Sequence, residues 1–200
     1  MKHIILDVET QKTFDEVGGY YPEKLGISFV GVIERDGLPT DFGEKIEEKR
    51  YELFEKDLHK LWHIMETSDV IIGFNLDSFD MQTFVPYYNG DIATLPTLDL
   101  MIRFKDSAGH RISLDAIASE TLGTQKSGDG LDAIRYYREG HLDKLAKYCM
   151  KDVEITRDIY DFGRINKMVK YKNKWNEVAE MEVNFDFEVP KDAGFQMSLV

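Results

Sequence analysis

An α/β fold in three layers is what the sequence predicts, and three observations lead there. Short apolar runs of strand length recur at residues 3–9, 27–33 and 69–75. Segments with apolar residues at helical spacing separate or follow them, the longest over residues 141–163. Strands interspersed with helices in this way build a sheet covered by helices on its faces. Two hundred residues suit one domain of ordinary size, and 42% hydrophobic with 31% charged residues is a globular composition.

In chain order, residues 3–9 read as a strand covered on both faces, and "ISFVGVI" at 27–33 as another. The intervening "GGYYPEKLG" is a loop, marked by Gly18, Gly19 and Pro22. "RDGLP" reads as a turn with a short strand after it. Over residues 50–67 the positions of Leu53, Phe54, Leu58, Leu61, Trp62 and Met65 predict an amphipathic helix. "DVIIGFN" at 69–75 is a short buried strand, and a helix starts near Ser78, with Phe79 assigned to the core. Residues 113–121 and 131–138 read as short helices around the loop "GTQKSGDG". On the helix over 141–163, Leu142, Leu145, Ala146, Cys149, Val153, Thr156 and Ile159 form the core stripe. "MVKYKNKWNEVAEMEV" then reads as a β-hairpin, and the last dozen residues as a loosely held tail. The chain divides into residues 1–163 and a hairpin with tail over 164–200.

The single cysteine, Cys149, excludes an internal disulfide and fits a reducing compartment, so a cytoplasmic setting is expected. No secretory signal opens the chain, and no run approaches the roughly 20 apolar residues of a membrane helix. A formal net charge of −12 argues against a protein that coats a duplex, because phosphate contacts come from Lys and Arg. It argues less against an enzyme that gathers carboxylates around cations and grips only a chain end.

Three acidic stretches carry the chemistry. In "IILDVET" the residues Asp7 and Glu9 lie two apart on a strand, so they project from one face about 6–7 Å apart. In "IIGFNLDSFD" a strand, a glycine and Asn75 lead to Asp80 in the first turn of a helix, a position the helix macrodipole favours. In "YCMKDVEIT" Tyr148 and Asp152 lie four apart, on one face of the long helix beside its core stripe. Asp99 and Asp115 read as helix caps. "KSGDG" is too short for a phosphate-binding P-loop and does not follow a strand.

Asp-x-Glu on a strand, Asn-x3-Phe-Asp at a helix start and Tyr-x3-Asp on a late helix resemble, in that order, the three motifs of the DEDD superfamily of 3′–5′ exonucleases. Those enzymes have a ribonuclease H-like fold with a mixed central sheet. The resemblance spans about residues 3–163, and "GFNLDSFD" and "YCMKDVEIT" are most similar to the proofreading domains of family B DNA polymerases and their stand-alone relatives. Members with a histidine carry it five residues before the last Asp; here that position is Lys147, and Tyr148 marks the tyrosine subclass.

The resemblance implies removal of nucleoside 5′-monophosphates from single-stranded 3′ ends, with DNA favoured over RNA. Four carboxylates without Cys or His ligands suit two Mg²⁺ or Mn²⁺ ions. By similarity Asp7 bridges both ions, Glu9 and Asp152 hold the one that carries the attacking water, and Asp80 serves the other. Tyr148 would orient the nucleophile. The substrate grip is assigned to Asn75 and Phe79, to Tyr20 and Tyr21 as stacking surfaces, to Lys126 on phosphate, and to the run Lys167, Lys170, Lys172 and Lys174. No polymerase or helicase segment is present, so such a partner would be a separate polypeptide. Two alternatives stand beside this reading: a catalytically silent nucleic-acid-binding module of the same fold, and a haloacid dehalogenase-type phosphatase. The phosphatase wants Asp where this chain has Glu9, and it gives Tyr148 and Asp152 no role.

Overall fold

A computed structural model of the chain describes residues 1–124 and 130–187. Strand β1 (Lys2–Thr10) pairs antiparallel with β2 (Ile27–Asp36), which pairs antiparallel with β3 (Glu48–Phe54). On its other side β1 runs parallel to β4 (Val70–Gly73), and β4 runs parallel to β5 (Thr97–Asp99). The five-stranded mixed sheet has the order β3-β2-β1-β4-β5. Helices α1 (His59–Glu66) and α2 (Asp80–Phe84) follow β3 and β4. Helices α3 (Leu100–Ala108), α4 (Leu114–Leu122), α5 (Gly130–Arg138) and α6 (Leu142–Asn166) follow β5. A two-stranded hairpin, β6 (Met168–Lys172) and β7 (Val178–Glu182), comes last. No helix among the described residues is long and apolar enough to cross a membrane.

Period-two alternation along β1 builds the layers. Ile4, Leu6 and Val8 face one side, where they pack with Val30 and Val32 against Leu61 and Met65 of α1 and Met81 and Phe84 of α2. Ile5 faces the other side, in a cluster with Phe29, Ile33, Phe104 of α3, Ile117 of α4, Ala133 of α5 and Leu145, Cys149 and Val153 of α6. Helices on both faces of the sheet make three layers. Val169, Met181, Val183 and Phe185, from the hairpin and the chain after it, join the second cluster.

The helix expected over 50–67 is not one element. Residues 48–54 are β3, and the helix occupies only 59–66. Tyr51 and Leu53 turn inward while Arg50 and Glu52 stay out, an alternation that suits pairing with β2. The open edge of β2 decided the contest, which apolar spacing within the segment could not. β5 and α3 were not anticipated as elements; three residues of strand are too few to show a period. Leu142 belongs to the first turn of α6 but is 40% exposed, so the core stripe begins at Leu145. The tail expected over the last dozen residues lies outside the described residues.

Candidate active site

Since Ile5 faces the α6 side, so do Asp7 and Glu9. The face that buries Ile5 under the helices therefore delivers both carboxylates beneath α6. Opposite Asp7 in the antiparallel register is Gly31. A Cβ there would lie 2.9 Å from Met150 Sδ, 3.0 Å from Val153 Cγ2 and 3.2 Å from Cys149 Sγ. The glycine thus lets α6 settle onto the sheet beside Asp7. Tyr148 and Asp152 lie one turn apart on this helix, and both are buried. Asp7, Glu9, Tyr148 and Asp152 all line a single cavity of about 520 Å³.

Asp80 arrives by a different route. β1 pairs with β4 only through residues 3–5, because β4 ends at Gly73. The chain turns at Asn75, whose φ of 63° is left-handed, and enters α2. Where the strands part, the amide of Val8 donates to Asp80 Oδ1 at 3.0 Å instead of to a sheet neighbour. Asp80 is 2% exposed and does not itself line the cavity, but Val8, whose amide it accepts, and Phe79, which precedes it, both do. Burial first, and then the charge of Asp7, pushes its carboxyl well above the usual carboxylate range.

The turn carrying Asn75 is held by Asp99, which accepts from the amides of Asn75 and Asp77 and caps α3 through the amide of Met101. Asp99 is therefore a cap, as its sequence position indicated. Asp115 is not. Ser113 caps α4 by accepting from Ala116, and Asp115 occupies the first turn. The serine two residues earlier has the short hydroxyl that reaches the third amide of the helix.

Asp115 instead lines a second cavity, of about 350 Å³, together with Asp7, Asp152, Asn75, Arg111, Ser113 and Leu114. Asp7 and Asp152 border both cavities. The larger one has apolar walls from Phe14, Leu25, Phe79, Leu131 and Ile134. Phe79 is thus a half-buried wall residue and not part of the core. Phe14 meets it edge-on at 6.0 Å and stacks on Tyr20 at 4.7 Å. The Tyr20 hydroxyl donates to the Ser78 carbonyl, so Tyr20 braces Phe14 from behind and does not line the cavity. Tyr21 does not line it either; its ring lies under the Lys24 ammonium. Arg138 of α5 reaches the carbonyl of Gln11 and the carboxylate of Glu16, tying the Phe14 loop to the helix that carries Leu131 and Ile134.

Lys126 lies outside the described residues. Within the basic run, Lys167 pairs with Asp186, Lys170 with Glu180 and Lys172 with Glu120. Lys174 lies over the ring of Trp175. The run is therefore largely neutralised by its own acids.

Three residues at the site escaped the sequence. Phe14 and Arg111 sit in loops whose positions no period reports. Cys149 belongs to the core stripe of α6 and is buried, but its thiol also donates to the carbonyl and Oδ2 of Asp7, with sulfur 3.3 and 3.5 Å away. Asp7, Glu9 and Cys149 each place a ligand-type atom within 4.8 Å of the others. Burial, then the charges of Asp7 and Glu9, push the Cys149 thiol well up, so it acts as a donor to Asp7.

The model of a family described as the RNase_H superfamily matches residues 4–162. A search of curated proteins found no match. Among solved structures, the family B DNA polymerase of the hyperthermophilic archaeon Pyrobaculum calidifontis aligns at a TM-score of 0.57 and 15% identity. The alignment covers 82% of this chain and 24% of the polymerase, so this chain spans about a quarter of its length. A zinc-bound E. coli ExoI–ssDNA complex aligns at a TM-score of 0.44 and 14% identity, over 82% of this chain and 40% of that one.

Proposed function

This chain belongs to the RNase_H superfamily, and from that premise we propose that it is a divalent-metal-dependent 3′–5′ exonuclease acting on single-stranded ends, with DNA preferred. The observation that carries the reading is one cavity lined by Asp7, Glu9, Tyr148 and Asp152, with Asp80 buried, bonded to the amide of Val8 on the cavity lining and within reach of the charge of Asp7. Residues 1–163 form the catalytic unit in this reading, and residues 164–200 an appended hairpin and tail. Its setting is cytoplasmic, beside a separate polymerase or helicase.

The donor set fits hard divalent cations: carboxylates from three segments crowd together, and the repulsion between Asp7 and Asp80 is of the kind a cation relieves. Asp7, Glu9, Asp80 and Asp152 would hold two Mg²⁺ or Mn²⁺ ions. When bound, such ions supply an activated water and stabilise the leaving oxygen. The chain's own residues do the rest. Cys149 orients Asp7 by its S–H donor, and the Val8 amide fixes Asp80. The Tyr148 phenol orients the water by hydrogen bond. Phe14 and Phe79 offer the terminal base an apolar wall, and Asn75 borders the strand side.

The test uses 5′-labelled single-stranded DNA and RNA with Mg²⁺, Mn²⁺ or chelator. A ladder shortening from the 3′ end, absent with chelator and in Asp7→Ala and Asp152→Asn, is the expected result. Activity in chelator, or in both variants, overturns it. Strand binding with no cleavage in either metal would instead favour the silent module. Tyr148→Phe slows turnover while divalent-ion binding persists; loss of ion binding in that variant would refute the role given to the phenol. A haloacid dehalogenase-type phosphatase has no place in this superfamily assignment.

A further inference from the structure

Arg111 and Lys12 are the described cations that line the two cavities bordered by Asp7 and Asp152, Arg111 in the smaller and Lys12 in the larger. Arg111 carries the donor fork. It is exposed, in the loop between α3 and α4, between Gly109, which ends α3 at a φ of 76°, and the Ser113 cap. Its neighbour Ile112 is buried in the core, which fixes the backbone that carries it. Arg35, Arg50, Arg135, Arg138 and Arg157 are all engaged in ion pairs. Arg111 is not, although Asp7, Asp115 and Asp152 line the same cavity; among the described residues no carboxylate lies within ion-pair distance of it. In a chain with 37 acidic and 25 basic residues, a guanidinium left unpaired beside carboxylates has its donor fork available for an incoming anion.

The two cavities give that anion a place. Asp7 and Asp152 form their shared edge, so a phosphodiester held at these acids has one nucleoside on each side. The larger cavity, walled by Phe14, Phe79, Leu131 and Ile134, suits the nucleoside that leaves. Beyond a 3′-terminal nucleoside there is no further phosphate. Any phosphate other than the scissile one that an arginine could bind therefore lies on the 5′ side. Resting on the exonuclease reading above, we infer that Arg111 binds the phosphate one nucleotide 5′ of the scissile bond, so that the strand leaves through the smaller cavity. Lys12, which borders the larger cavity, marks the opposite direction.

Two thymidine dinucleotides, one with and one without a 5′-phosphate, isolate this contact, since they differ only in that group. With Mn²⁺ the wild-type chain is expected to show a KM about tenfold lower for the phosphorylated substrate, the scale of one charge-assisted contact. In Arg111→Ala the ratio falls to about one, and Arg111→Lys keeps an intermediate ratio. Each ratio is internal to one protein, so a small loss of stability does not disturb it. A ratio unchanged in Arg111→Ala overturns the inference and leaves the exonuclease reading standing. So does a ratio lost in Lys12→Ala but kept in Arg111→Ala, which would run the strand the other way. If the wild-type chain cleaves neither these substrates nor the 5′-labelled single strands, the exonuclease reading itself fails, and this inference with it; cleavage of the longer strands alone, with no effect of Arg111→Ala on their KM, overturns the inference only.

Discussion

The carboxylate of Asp80 is buried, accepts the Val8 amide and feels the charge of Asp7, and these facts pull in different directions. The hydrogen bond supports the fold, while the buried charge opposes it until a cation arrives. Asp80→Asn keeps an oxygen for the Val8 amide and removes the charge. The apoprotein is therefore expected to gain about 1 kcal/mol or more, read as a higher Tm. Metal-dependent activity should fall about 10–100-fold. The sign of the pH effect follows from the raised carboxyl: the folded state holds that proton more tightly, so wild-type stability declines as pH rises through the Asp80 transition, and the Asn variant lacks that decline. Its advantage should grow toward alkaline pH and vanish in acid; an advantage that grows in acid would refute the argument. At this scale the acids were legible because carboxylates interrupting apolar runs are visible in a string of letters. Phe14, Cys149 and Arg111 were not. A loop aromatic, a core-type thiol and a lone arginine acquire meaning only from what stands opposite them.

Helix α6 reaches the site only because β2 has no side chain at residue 31. Met150, Val153 and Cys149 occupy the space a Cβ there would fill, and Tyr148 and Asp152 ride on the same turns of helix. Gly31→Val is expected to cost about 1–3 kcal/mol by overpacking. Because the helix must lift, it should also lower turnover by more than a core substitution of equal cost placed far from the site. Denaturant unfolding beside kcat measures both, and a loss of turnover no greater than in the control would show that the helix position is not set there. Helix α6 was readable from its long 3.6-residue period and the hairpin from its turn-bounded strands. In the sequence β3 reads as part of a helix because six apolar residues over 50–67 satisfy a helical spacing, whereas the hydrogen-bonding edge of β2 that claims residues 48–54 lies elsewhere in the chain.

Across the whole molecule a net charge of −12 repels a polyanion, and the basic run at the hairpin is largely spent on Glu120, Glu180 and Asp186. The proposed grip is therefore one or two phosphates. Single-strand affinity should weaken only roughly three- to sevenfold between 50 and 200 mM salt, from a slope of about −0.7 per contact. A loss of a hundredfold or more, measured by anisotropy with a labelled oligonucleotide, would mean a larger basic surface than this one. The sequence by itself determined the α/β class, the long helix, the hairpin and the identity of the acidic residues, because period and residue type are local properties of the chain. Tertiary structure alone decided that Asp80 takes the amide left open where β1 and β4 part, that Gly31 admits α6, and that Asp7 and Asp152 divide two cavities with Arg111 in one of them. Those are relations between segments tens of residues apart. They are fixed by strand register and by the packing of helices on the sheet, and no local pattern encodes them.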